Sequence, residues 1–156
     1  MKNNYSAQVE GEVAKVLGKD LPISKKHSVE ICHFLRNRKL KQAQELLKRV
    51  LAKEMAVPYK RHVWNLGHKE GAKGPGRYPL KAAEEILGLL EAVETNAQFK
   101  GMNTSNLVIC HICAHKASSP RHYGRQSGQM KRCHVEVIVQ EGAKEKETKI
   151  KGSEKK

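Results

Sequence analysis

Two alternating segments limit what this chain can fold into: "NLVICHICAHK" at 106–116 and "RCHVEVIVQ" at 132–140. In the first, Val108, Cys110, Ile112 and Ala114 fall on one face, and Leu107, Ile109, His111, Cys113 and His115 on the other. In the second, Cys133, Val135, Val137 and Val139 oppose His134, Glu136, Ile138 and Gln140. Alternation rich in β-branched residues is a strand pattern, because successive side chains point to opposite sides of a sheet. Joined antiparallel, the apolar faces match if Val108 sits opposite Val139, Cys110 opposite Val137, Ile112 opposite Val135 and Ala114 opposite Cys133. A slip of one residue would turn an apolar set to the wrong side, so this pattern specifies a register.

The same stretch opens with Cys110-x-x-Cys113 and closes with Cys133-His134, which raises a rival reading: a zinc-dependent nucleic-acid binder. Structural zinc needs four ligands converging at about 2.3 Å, usually from a tight knuckle. "CHIC" has no Gly or Pro to form one, and ligands at odd spacing on a strand point apart. The cysteines therefore read as small apolar strand residues, with no metal and no cofactor expected. His111 and His115 share a face and read as an RNA-facing or solvated pair.

The connection between the strands carries more information. From Thr95 to Val135 there is no acidic residue, while Lys100, Lys116, Arg121, Arg125, Lys131, Arg132 and four histidines fall in the same span. Tyr123 and Gly124 lie between Arg121 and Arg125. Arginine offers planar donors to phosphate and stacks on bases, and glycine lets backbone approach a crowded surface. The whole chain agrees: 30 Lys and Arg against 16 Asp and Glu give +14. Such a charge opposes compaction of a free protein and favours a polyanionic partner. The tip has almost nothing apolar to bury, so it is expected to be mobile without RNA.

Three helices precede the strands. In "SKKHSVEICHFLRNRK", Ile31, Phe34 and Leu35 keep helical spacing, with Val29 and Cys32 beside them, Ser24 as N-cap and an end near Asn37. Leu40, Ala43, Leu46, Leu47, Val50 and Leu51 form the stripe of a second helix. Ala83, Ile86, Leu87, Leu90, Val93 and Ala97 form that of a third, with Pro79 at its first position and Gly101 as its stop. "EVAKVLGKDLPIS" reads as a short strand or extended arm, and "MKNNYSAQVEG" as a polar segment draped over a surface.

Between the second and third helices lies "VPYKRHVWNLGHKEGAKGPGRYP". Its cations are Lys60, Arg61, Lys69, Lys73 and Arg77, its aromatics Tyr59, Trp64 and Tyr78, and its only acid Glu70. A loop this long is functional or disordered, and disordered linkers rarely carry Trp and Tyr. It is expected to become ordered against a partner. Trp64 has two readings, a core or staple residue and a base-stacking one. Tyr78 reads either as an RNA contact or as packing on the third helix.

Other classes find little support. No run approaches the roughly 18 apolar residues of a membrane span, and the N-terminus lacks a signal-peptide pattern, so no membrane partner is expected. Without an export signal, the four cysteines are expected to be thiols. An enzyme would need an activated nucleophile, paired carboxylates or a cofactor loop, and "GAKGPGRYP" lacks the strand-then-helix setting of a phosphate loop. No catalysis is expected.

"ISKKHSVEICHFLRNRK", "VPYKRHVWNLGHKEGAKGPGRYPLKAA", "NAQFKGMNTSNLVICHICAHK", "RHYGR" and "CHVEVIV", taken in order, resemble the ribosomal protein L22 family, L17 in eukaryotic naming. The long "GHKEGAKGPGRYP" insertion resembles the archaeal and eukaryotic type, and the likeness covers about residues 5 to 141. The tip between Lys116 and Arg132 is shorter and less Arg-dense than is usual for that branch. The resemblance implies an α+β fold: three helices packed on a small antiparallel sheet with one long protruding β-hairpin, at about 106–140. It implies a single rRNA-binding domain over 1–141, followed by a charged flexible tail at 142–156. It also implies a cytoplasmic structural constituent of the large ribosomal subunit, which binds large-subunit rRNA, assists its assembly and lines the polypeptide exit tunnel. The expected partners are that rRNA, neighbouring large-subunit proteins and the nascent polypeptide passing the hairpin tip, with no homo-oligomer.

The residues expected to meet RNA fall in three groups. Lys25, Lys26 and His27 open the first helix. Lys60, Arg61, His62, Trp64, His68, Lys69, Lys73, Arg77 and Tyr78 belong to the long loop. His115, Lys116, Arg121, His122, Tyr123, Gly124, Arg125, Lys131 and Arg132 belong to the hairpin. Phosphate contact is expected chiefly from Lys25, Lys26, Arg61, His68, Lys69, Arg77, Lys116, Arg121 and Arg125. Affinity should then fall with salt as counterions are released. Specificity is expected mostly from RNA shape, with stacking by Trp64 or Tyr123 on unpaired bases.

Overall fold

A computed structural model describes residues 5–9, 11–72, 74–125 and 127–142. Among these residues the order is β1 (Val13–Leu21), α1 (Lys25–Leu35), α2 (Leu40–Leu51), β2 (Val57–Pro58), β3 (Gly76–Arg77), α3 (Leu80–Phe99), a single 3-10 turn at Thr104–Asn106, β4 (Leu107–Lys116) and β5 (Cys133–Glu141). Lys73 and most of the charged C-terminal segment, 143–156, lie outside the described residues.

The helices end where their sequences indicate. After α1, Asn37 takes the left-handed conformation at φ 61°. After α3, Gly101 does so at φ 72°. There the Gly101 N–H donates to Gln98 O at 2.9 Å and the Met102 N–H to Ala97 O at 3.0 Å, closing the helix without a Cβ penalty. Ser24 is the N-cap residue of α1, though its side chain makes no capping bond, and Pro79 directly precedes the first residue of α3 rather than occupying it.

β1, β5 and β4 form one antiparallel sheet in that order. One face of the sheet packs on the helices, chiefly α3 over β1 and α1 over β4. Ile31, Leu35, Leu47, Ile86, Leu90 and Val93 meet Ala14, Ile109, Ile112, Val135, Val137 and Val139 in a common core. Burying such side chains contributes roughly 1.5–3 kcal/mol each.

The pairing of β4 with β5 corrects the expected register. Ile109, not Val108, faces Val139, and Ile112 faces Val137. The register shifts between Ile109 and His111, leaving Cys110 as the extra residue of a bulge. Leu107 and Ile109 therefore face the core before the bulge, and Ile112 and Ala114 after it. The cause is tertiary. The Ile109 N–H donates to Arg38 O at 3.0 Å and the Asn37 N–H to Ile109 O at 3.1 Å, tying the start of β4 to the turn after α1.

The sheet's outer face carries Glu136, only 6% exposed. The backbone N–H and the hydroxyl of Ser6 donate to its carboxylate at 2.9 and 2.7 Å. His115 Nε2 lies 3.4 Å from one carboxylate oxygen and His111 Nε2 lies 3.7 Å from the other. Burial alone would raise this carboxyl, but the Ser6 hydrogen bonds and the two histidines outweigh burial and hold it below its ordinary value. The N-terminal segment thus drapes over this face, with the Lys15 ammonium 5.6 Å from the Tyr5 ring centre. His115, expected to face RNA or solvent, sits beside Glu136 with its side chain 43% exposed.

Candidate nucleic-acid interface

The loop between α2 and α3 begins on a buried carboxylate. Glu30 of α1 is 1% exposed. The backbone N–H groups of Lys60, Arg61 and His62 donate to it at 3.0, 2.9 and 2.7 Å. A buried carboxylate is costly unless hydrogen-bonded, and charge-assisted bonds of this length are strong ones. With its amides turned inward on Glu30, this stretch leaves the Lys60 and Arg61 side chains exposed.

The far end of the loop is closed by backbone pairing. Val57 and Pro58 of β2 pair with Arg77 and Gly76 of β3. The Tyr59 N–H donates to Pro75 O at 2.9 Å, and His68 bridges to Pro75. Part of the order expected from a partner is therefore supplied by the chain itself.

These anchors bring the loop beside the first turn of α1. Lys26 and His27 from α1, Arg61, His62 and Trp64 from the loop, and Arg77 of β3 line one cavity of about 380 Å³. A second, of about 370 Å³, shares Lys26, Arg61 and His62 and continues past Lys25 and Arg36 to the edge of β4. Tyr78 and Lys131 line a third beside His27. Trp64 is 87% exposed, which decides against the core reading. Burial, then the charges of Arg77 and Lys131, lower the His27 pKa, so this ring tends to stay neutral among cations. His27 meets Tyr59 edge-to-face with ring centres 6.1 Å apart. Burial pushes the Tyr59 hydroxyl up to about 12, and that hydroxyl has no hydrogen-bond partner among the described residues.

The other expected residues are spread more widely. His68 and Lys69 are exposed further along the loop. Between β4 and β5, backbone bonds continue from the Ala117 N–H to Arg132 O, from the Met130 N–H to Pro120 O and from the His122 N–H to Gly128 O. Lys116, Arg121, His122, Tyr123, Gly124, Arg125 and Lys131 are all exposed there, while Arg132 donates to Asp20 O at 3.0 Å.

All four cysteines are free thiols, and burial raises the pKa of Cys32, Cys110 and Cys133. Among the described residues no three His, Cys, Asp or Glu side chains are grouped to hold a metal ion. No described helix is long and apolar enough to cross a membrane.

Sequence reasoning missed Glu30, although it is the only acid in α1 and sits beside the apolar stripe at Ile31. It also missed the link from Glu136 to Ser6, which joins residues 130 positions apart.

These features define a small, basic α+β protein with one side rich in cations and bearing an exposed aromatic ring. A model of the family described as ribosomal protein L22p/L17e matches residues 16–140. The large ribosomal subunit protein uL22 of Thermoplasma acidophilum is 45% identical over 89% of this chain and 95% of its own length. The protein of that name from Methanosphaera stadtmanae is 41% identical over 90% and 97% respectively. This chain belongs to the ribosomal protein L22p/L17e family.

Proposed function

We propose that the chain is a structural constituent of the large ribosomal subunit in the cytoplasm, that it binds large-subunit rRNA and that it assists assembly of the subunit. The β4–β5 hairpin would lie along the polypeptide exit tunnel, with Arg121, Tyr123, Gly124 and Arg125 at its tunnel end, beside the nascent polypeptide. The other partners are neighbouring large-subunit proteins, and the working unit is one copy rather than a homo-oligomer.

What carries this reading is the gathering of Lys25 and Lys26 of α1, Arg61 of the loop anchored on Glu30, and Arg77 of β3 around cavities that share lining residues. Cations held in place neutralise phosphates and release counterions with little reorganisation. Lys60, His62, His68, Lys69, Tyr78, Lys116, His122, Lys131 and Arg132 would add contacts, and Lys73, outside the described residues, is proposed with them. His115, half-exposed beside Glu136, would add a contact from the base of the hairpin. Catalysis plays no part in this role.

Sedimentation tests it. The protein should travel with large subunits at low salt and leave them only at high salt. Free protein at the top of the gradient at every salt concentration would refute the assignment.

A further inference from the structure

We infer that the cavity beside Trp64 holds one unpaired nucleotide of single-stranded RNA, its base against the indole and its phosphate between Arg61 and Arg77. This inference rests on the RNA-binding reading above and adds the form of RNA the site takes.

Four observations converge on it. The cavity, about 380 Å³, lies within the roughly 300–1,000 Å³ of small-ligand sites. Trp64 is 87% exposed and Val63 beside it 42% exposed, so the chain leaves apolar and aromatic surface uncovered at the cavity's edge. Every base has a π-face that can stack on such a ring. Arg61 and Arg77 line the same cavity, and guanidinium forks suit phosphate.

The fourth observation lies in the cavity wall. Tyr59 lines it and is 4% exposed, and its buried hydroxyl has no hydrogen-bond partner among the described residues. A buried hydroxyl without a partner is costly, so a small shift of this wall that let a base edge reach it with a carbonyl or ring-nitrogen acceptor would be favoured.

The geometry also selects against a duplex. A base stacked in an A-form helix is covered on both faces, and its deep groove shuts out side chains. Only a base out of the stack can meet Trp64. The next phosphates then enter the second cavity, which shares Lys26 and Arg61 and runs on to Lys25 and Arg36.

Trp64 is the chain's only tryptophan, so its fluorescence reports on this site alone. The full chain is titrated with a single-stranded oligoribonucleotide of about ten nucleotides and with a blunt duplex of equal phosphate count. Binding is read separately by anisotropy of labelled RNA. The single strand should quench Trp64 emission by at least half while the bound duplex leaves it nearly unchanged. Trp64→Leu should lose about tenfold in single-strand affinity with its salt dependence intact, and Trp64→Phe should recover most of the loss.

A single strand that binds without quenching, or equal quenching by the duplex, would overturn the nucleotide pocket while leaving RNA binding in place. So would Trp64→Leu binding the single strand as tightly as the parent. If anisotropy shows no binding of either RNA, the RNA-binding reading falls and this inference falls with it.

Discussion

Two basic loops of this protein do similar chemical work on different foundations. The loop at 59–75 and the connection at 117–132 each carry basic side chains, glycines and an exposed aromatic, Trp64 in one and Tyr123 in the other. The first rests on a buried carboxylate, a β2–β3 ladder and the buried ring of Tyr59. The second has backbone bonds between its two sides, but no described residue from 118 to 129 is buried. A loop held in its binding conformation loses little entropy when RNA arrives, whereas one with nothing to bury must be ordered by the RNA itself. The first is suited to affinity and orientation, the second to reaching into a space whose shape the RNA sets.

Removing the anchor of the first loop should have the largest effect. Glu30→Ala leaves three backbone N–H groups without their acceptor, at about 1 kcal/mol or more each. Urea unfolding should show about 3 kcal/mol lost, and RNA affinity should fall with it. Unchanged stability would mean that Glu30 does not hold the loop.

Amide exchange in the free protein should separate the two regions next. The amides of Lys60, Arg61 and His62 should exchange about 100-fold more slowly than those of residues 118–125. Equal rates would erase the contrast.

Glu136 extends the comparison to the N-terminal segment, which it holds as Glu30 holds the loop. Glu136→Gln should cost about 1 kcal/mol at neutral pH. A carboxyl held below its unfolded value stabilises the fold at pH above that value and stops doing so as pH falls through its own lower pKa. The parent should therefore lose this contribution on acidification below the ordinary glutamate range, near 4.5. The Gln variant should show a shallower acid loss in the same unfolding assay.

The smallest effect on stability belongs to the tip. Arg121→Glu and Arg125→Glu should shift unfolding free energy by no more than about 0.5 kcal/mol, since both side chains are exposed. Both should weaken attachment to the large subunit. A stability loss of several kcal/mol would show that the tip is part of the folded body.

Much of the fold was legible because it is written in local periods. The stripes of α2 and α3, the alternation of β5 and the stop at Gly101 all depend on near neighbours in sequence. The register of β4 was not legible, because the bulge at Cys110 answers to hydrogen bonds with residues 37 and 38. The β2–β3 ladder escaped because two residues per strand leave no period to read. At the candidate site, the cations could be named from composition. The place of Arg61 and His62 among them depends on Glu30, whose burial follows from the packing of α1 and the loop rather than from its own sequence context. Trp64 had two readings, and only its exposure separates them.

Affinity of the full chain for large-subunit rRNA, measured against salt concentration, tests the central claim most directly. The logarithm of affinity should fall linearly with the logarithm of salt, and Arg61→Ala or Arg77→Ala should each reduce that slope by about one unit. Affinity indifferent to salt, or a slope left unchanged by both substitutions, would contradict a cationic face built to lie on folded RNA.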